Sequence, residues 1–242
     1  MNKKIVALIG ARAGSKGVPN KNLRSIGNYP LITYSLAAAQ MSKYITETVF
    51  SSDSSIMLHT AMEYNPSVIP IHRPNELASD TATDLEWIED VCKQLQKKNN
   101  LPDLLVHLRP TTPLRGIHVI DAAISCMLQC PDVTSLRSAH KLGESPYKMF
   151  VKSEHRWKPF MQMEKSEFYN LPRQAFPQVY HPNGYVDILR TKHILEKHNL
   201  HGDNILAYET EKVIEIDSLD DLEEADSKYT ENMIWKYMAR LA

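Results

Sequence analysis

The sequence predicts an α/β fold built on a mostly parallel, three-layer sheet. Two observations carry that prediction. Short apolar, β-branched runs alternate with stretches of helical length from Ile5 to Ser138, and strands alternating with helices call for a parallel sheet covered on both faces. The turns that follow the apolar runs are basic or polar, as at Arg12, Asp53, Arg73 and Arg109. Right-handed crossovers gather the loops after the carboxyl ends of the strands along one edge, so these four positions are expected to converge there.

The elements follow in order. Ile5–Ile9 is short and β-branched enough for a buried strand, and it breaks into a loop carrying Gly10, Gly14 and Gly17. Pro30–Met41 reads as a helix, with Pro30 suited to its first turn. Ile45–Phe50 is a second strand, and a serine or Asp53 in the following Ser-Ser-Asp-Ser-Ser can cap a helix over Ile56–Tyr64. Val68–Ile71 is a third strand, and His72–Thr81 is polar and without periodicity. Thr83–Lys97 is an amphipathic helix with Leu85, Ile88, Val91, Cys92 and Leu95 on one side. A fourth strand, Leu104–Leu108, runs into a second basic turn, Arg109–Arg115, before a helix over Ile117–Leu128 and a strand over Val133–Ser138.

The pattern changes at His140. From there to Gln178 the chain is rich in Lys, Pro, Met and aromatic residues with little periodicity. A long irregular excursion inside a domain points to a functional or interaction arm. Tyr185–Leu189, Ile205–Tyr208 and Lys212–Ile216 read as further strands, and Leu219–Ala225 and Asn232–Leu241 as closing helices.

Composition excludes several classes. Hydrophobic and charged contents of 43% and 24% are those of a globular protein. A formal charge of −1 argues against a non-specific nucleic-acid binder. Cys92, Cys126 and Cys130 form no Cys-x-x-Cys pair and read as reduced packing residues. No run is long enough to span a membrane, and Lys3-Lys4 leads into too short an apolar run for a secretory signal, so the cytoplasm is the expected compartment.

Three features carry chemistry. Arg12, Lys16, Lys21 and Arg24 cluster on the glycine-bearing first loop, and such turns form anion-binding concavities. The loop reads as a phosphate cradle. It is not a Walker A loop, because Val18 follows Gly17, and its glycine spacing is not Gly-x-Gly-x-x-Gly. Glu215 and Asp217 lie two apart on an expected strand and so face the same way. They either meet one hard cation such as Mg²⁺ or solvate an exposed strand face, with Asp217 or Ser218 capping the last helix. Arg73, Arg109, Arg115, Lys148 and Arg173 are candidates for gripping phosphates or a carboxylate. No Ser/His/Asp or Cys/His arrangement stands out, so the inventory suits phosphoryl or nucleotidyl transfer by positioning and charge neutralisation.

Ala-Arg-Ala-Gly-Ser-Lys-Gly-Val-Pro-Asn-Lys-Asn over residues 11–22 resembles the signature of the acylneuraminate cytidylyltransferases, the CMP-sialic acid synthetase family. So do Arg73-Pro-Asn-Glu-Leu-Ala-Ser-Asp-Thr-Ala82, Pro110-Thr-Thr-Pro-Leu-Arg115, Pro182-Asn-Gly184 and Ile216-Asp-Ser218, in family order over nearly the whole chain. The resemblance implies a Rossmann-like nucleotidyltransferase fold, with a main domain over 1–139 and 177–242 and an inserted dimerisation arm over 140–176. It implies a CTP- and Mg²⁺-dependent enzyme that joins CMP to the anomeric hydroxyl of a nine-carbon 2-keto sugar acid and releases pyrophosphate, acting as a homodimer. By motif, Arg12, Ser15, Lys16 and Lys21 would hold the triphosphate with Arg73. Asn22 and the backbone near Ala82 would bind ribose and cytosine, and Asp217 with Glu215 would bind Mg²⁺. Arg109, Lys148, Arg173 and Asn183 fall where the family contacts the sugar acid, Lys148 and Arg173 from an arm exchanged with the partner subunit.

Two departures bear on the substrate. Arg109 stands where sialic-acid enzymes often carry Gln, which points to diamino relatives such as legionaminate or pseudaminate, and Glu215 replaces a frequent Asp. The nearest rival reading is a CMP-Kdo-type enzyme, although that family's substrate-side motifs look unlike residues 110–115. A catalytically idle nucleotide-binding dimer of the same fold would predict loss of Lys21 or Asp217, and both are present.

Overall fold

A computed structural model describes residues 3–241; the outer bounds 1 and 242 of the expected main domain lie outside the described residues. β1 (Ile5–Gly10) is apolar throughout because it runs through the interior of the sheet with helices on both faces. Its side chains alternate between two cores. Ile5, Ala7 and Ile9 join the larger one, whereas Val6 and Leu8 join the smaller. A two-residue hairpin follows, β2 (Ser25–Ile26) and β3 (Tyr29–Pro30), leading into α1 (Leu31–Met41) with Pro30 at its N-cap.

The central alternation then proceeds through β4 (Glu47–Ser52), α2 (Ser55–Tyr64), β5 (Ile69–His72), α3 (Asp84–Lys97), β6 (Leu104–His107), α4 (Ile117–Gln129) and β7 (Ser135–Lys141). Ser54 caps α2 by accepting from the Met57 N–H, and Thr83 and Glu86 form a capping box on α3. α3 buries Trp87, Ile88, Val91, Cys92 and Leu95 in the smaller core, and α1 and α4 cover the larger one on the opposite face.

The excursion leaves the sheet after Lys141. It carries a hairpin of β8 (Phe150–Ser153) and β9 (Arg156–Pro159) and rejoins as β10 (Tyr180–Arg190). β10 pairs antiparallel with both β6 and β7, with a register shift between Pro182 and Asp187. α5 (Thr191–Lys197), β11 (Ile205–Glu209), α6 (Leu219–Lys228) and α7 (Met233–Leu241) complete the chain. The seven-stranded sheet has the order β11-β7-β10-β6-β1-β4-β5, mostly parallel as the alternation requires.

Two local expectations are corrected, and one helix was not anticipated. Lys212–Ile216 is not a strand among the described residues; Ile216 is instead pinned by its N–H to the Thr111 carbonyl at 2.8 Å. The apolar alternation there reflects burial of Ile216 beneath the site rather than ladder pairing. β10 begins five residues before Tyr185 because its first half pairs with β7 past the bulge, where exposed side chains leave no apolar period. α5 has no recognisable helical period because it is only seven residues long and buries just Thr191 and Ile194.

Candidate active site

The site forms because β1, β4, β5 and β6 all end at one edge. The loop after β1 packs tightly against the 215–217 segment. A Cβ placed on Gly17 would lie 2.2 Å from the Asp217 carbonyl oxygen, and one on Gly10 would strike Trp87 and Arg73. Glycine at these positions is therefore required by close approach. No described residue crowds Gly14. Asp53, at the end of β4, does not cap α2. It accepts from the Ala13 N–H at 3.0 Å and so fastens the loop to the neighbouring strand.

The resulting cleft has a volume of about 350 Å³, within the range of small-molecule sites. It brings together Arg12, Ser15, Lys16, Lys21, Asn22, Arg73, Arg109 and Asp217, as the sequence anticipates. It also contains Asp84, Trp87, His107 and Thr111, which sequence reasoning did not single out. His107 closes β6 at the edge where sites gather, and Asp84 opens α3 beside that edge; position at an element end was the available signal.

The charges are arranged in pairs. Arg12 donates to the Ser79 carbonyl at 2.7 Å and pairs with Asp80 at 3.2 Å, while Lys16 pairs with the same carboxylate at 2.7 Å. Lys21 donates to the Ile216 carbonyl at 2.6 Å and to Asp217 Oδ1 at 3.1 Å, joining the basic loop to the acidic segment. Asn22 is buried and donates to the Arg12 carbonyl at 3.1 Å. Arg73 is buried too. It bonds Ser51 through Nε and Nη2 and lies 4.1 Å over the Trp87 ring. Burial pushes its guanidinium down to about 10, which leaves it cationic at neutral pH.

Beyond Trp87 lies a second charged group. Asp84 accepts from Trp87 Nε1 at 3.0 Å and pairs with Arg109 at 2.8 Å. Burial raises the Asp84 carboxyl, but Arg109 first and then the Trp87 indole outweigh burial and hold it below its ordinary range. Burial and the neighbouring Arg109 together keep His107 neutral. Glu215 is raised by burial first and then by the charge of Asp217.

The remaining expected residues lie elsewhere. Arg115 is not a ligand-gripping cation. It is fully buried, donating to Ser35 Oγ at 2.9 Å, to the Arg109 carbonyl at 2.7 Å and to the Gly184 carbonyl at 3.3 Å, so it braces the Arg109 turn from beneath. Asn183 is also buried, bonding Ser138 Oγ, Thr210 Oγ1 and the Glu211 carbonyl, which fixes the bulge in β10. The Ala82 N–H bonds Ser79 rather than facing the cleft. Lys148 and Arg173 line a separate depression with Gly143–Ser145 at the root of the arm. Cys92, Cys126 and Cys130 are all free thiols.

A family model described as cytidylyltransferase matches residues 6–225. The chain is 36% identical over 121 residues to a CMP-N,N'-diacetyllegionaminic acid synthase of Legionella pneumophila, covering 50% of this chain and 52% of that protein. It is 29% identical over 228 residues to an N-acylneuraminate cytidylyltransferase of Escherichia coli, covering 92% of this chain and 51% of that one. The chain thus spans about half the length of these two relatives. A solved CMP:2-keto-3-deoxy-manno-octonic acid synthetase in complex with CTP shares the fold, with a TM-score of 0.71, 16% identity and coverage of 94% of this chain and 99% of that one. With the family match spanning nearly every element that builds the cleft, the chain belongs to the cytidylyltransferase family.

Proposed function

We propose that this chain transfers a cytidylyl group from CTP to the anomeric hydroxyl of a nine-carbon 2-keto sugar acid, with release of pyrophosphate. The observation that carries this reading is the convergence of Arg12, Ser15, Lys16, Lys21, Asn22 and Arg73 on one cleft opposite Asp217. The hydroxyl oxygen attacks the α-phosphorus, a new P–O bond forms, the bond to pyrophosphate breaks and the hydroxyl proton passes to solvent. Arg12, Lys16 and Lys21 neutralise the charge that develops on the leaving group. The substrate class follows the two named relatives, a legionaminic and a neuraminic acid enzyme, and Arg109 favours a diamino acid such as legionaminate or pseudaminate.

Asp217 lines the cleft and Glu215 a separate depression with His140, His181 and Asn183, and these two carboxylates are the ones that would hold a Mg²⁺ ion. Burial first and then the charge of Asp217 raise Glu215, and the second is the kind of repulsion a hard cation relieves. No group of three or more His, Cys, Asp or Glu side chains is arranged to hold a metal among the described residues, so substrate phosphates and water would complete the coordination. Bound there, Mg²⁺ would supply Lewis-acid stabilisation of phosphate charge. We extend the proposal to a homodimer. Val151, Trp157, Phe160 and Met163 on the arm are exposed, a pattern that suits burial against a second copy. Lys148 and Arg173, away from their own cleft, would then serve the partner subunit's site. Among the described residues no helix is long and apolar enough to cross a membrane, and the cytoplasm, where CTP is made, is the proposed location.

The test is pyrophosphate release with CTP and Mg²⁺, comparing N-acetylneuraminate, legionaminate, pseudaminate and Kdo. Release with one nine-carbon acid, lowered at least about 100-fold in Lys21→Ala, is expected. CTP binding without release from any of the nine-carbon acids would refute the proposal.

A further inference from the structure

We propose that Asp187 is a positioning residue which, together with Asp84, presets Arg109 to recognise neutral acceptor groups on the sugar acid, its hydroxyl or acetamido substituents. The proposal rests on the cytidylyltransferase reading above.

Two carboxylates from different elements converge on one nitrogen of Arg109. Nη2 lies 2.8 Å from Asp84 Oδ2, at the start of α3, and 3.6 Å from Asp187 Oδ2, on β10. Asp84 cannot turn away, because its other oxygen accepts from the Trp87 indole. Asp187 is 3% exposed, and among the described residues its Oδ1 has no hydrogen-bond partner; Arg137 Nε lies 3.8 Å away and is likewise unpartnered. Burial raises the Asp187 carboxyl, opposed by Arg109 and then Arg137. A buried carboxylate so thinly satisfied is costly to retain for stability alone, whereas a residue that fixes a ligand-binding guanidinium has a reason to be there.

Fixing Nη2 fixes the guanidinium plane. No described residue bonds Nε or Nη1 of Arg109, and the side chain lies in the cleft wall beside Thr111. The turn beneath is itself rigid, since Arg115 holds the Arg109 carbonyl. With two carboxylates against one guanidinium, Arg109 is no bare cation for the acid's carboxylate. It is a directional donor with a preset plane, which recognises neutral oxygen acceptors by geometry rather than by charge. Along the chain Arg109 stands as a free cation, because Asp84 and Asp187 are far from it in sequence.

The experiment measures KM for the sugar acid and for CTP in wild type, Asp187→Asn, Arg109→Gln and the double variant. Asp187→Asn is expected to raise the sugar-acid KM at least about ten-fold, the scale of one weakened charge-assisted hydrogen bond, with the CTP KM within two-fold of wild type (~0.4 kcal/mol). It should add little in the Arg109→Gln background. Asp84→Asn, at the more exposed end of the pair, should show the same selective loss and keeps the idea testable if Asp187→Asn does not fold. Unchanged sugar-acid KM in an active Asp187→Asn or Asp84→Asn enzyme, or full additivity with Arg109→Gln, overturns the inference alone. A wild-type enzyme that releases no pyrophosphate with any acid overturns the functional reading and this inference with it.

Discussion

Gly17→Ala is the substitution whose effect the geometry specifies most sharply. The added Cβ would lie 2.2 Å from the Asp217 carbonyl oxygen, where ordinary contact begins at 3.4 Å, so the two backbones must separate by about 1.2 Å. The oxygen is backbone and cannot swing aside as a flexible side chain would. Separation pulls the 215–217 segment away from Lys21, whose bonds to the Ile216 carbonyl and Asp217 span 2.6 and 3.1 Å. A displacement of about 1 Å in a site that works by positioning costs on the order of 100-fold in kcat/KM. Overpacking costs about 1–3 kcal/mol, and each kcal/mol lowers Tm by about 2–4 °C in a chain of this size. Gly14→Ala is the matched control, because no described residue lies within 4 Å of its Cβ position; it should leave rate and Tm near wild type. The assay is pyrophosphate release with thermal melting of the same samples. A Gly17→Ala enzyme within about three-fold of wild-type kcat/KM, far short of the loss worked above, would refute the claim that the loop and the 215–217 segment are rigidly coupled.

Two further predictions concern charge. Asp80 occupies the two cations proposed to hold the triphosphate, Arg12 and Lys16, so Asp80→Asn should lower the KM for CTP by about two- to five-fold at low ionic strength, with the gain shrinking near 0.5 M salt; a KM that does not fall would show that the triphosphate does not compete with Asp80. Asp84 titrates below its ordinary 3.8 in the fold, so its stabilising contribution is fully present above that pH and is lost as pH falls through the lower folded value. The gap in urea midpoint between wild type and Asp84→Asn should therefore hold near neutrality and close as the solution is acidified below pH 3.8, and a gap constant down to pH 2 would contradict the pairing with Arg109.

The parallel half of the sheet, the basic loop and the edge where the site lies are legible along the chain. Ile5–Ile9, Leu104–Leu108 and the amphipathic Thr83–Lys97 are legible because burial imposes a local period on side chains. The clustering of Arg12, Lys16 and Lys21 is legible because the residues are neighbours in the chain. The path of the 212–216 segment was not legible, since an apolar alternation reads the same whether it pairs in a ladder or only packs Ile216 beneath a loop. Arg109 and Arg115, two arginines of one turn, differ in the sequence only by the family resemblance, since their chemistry reads alike. One lies in the cleft between carboxylates and the other is buried as a brace. Only the folded chain shows which partners each guanidinium takes, because a guanidinium's role is set by what surrounds it. Here its surroundings are Asp84 on α3, Ser35 on α1, and Gly184 and Asp187 on β10, brought together only when the sheet closes.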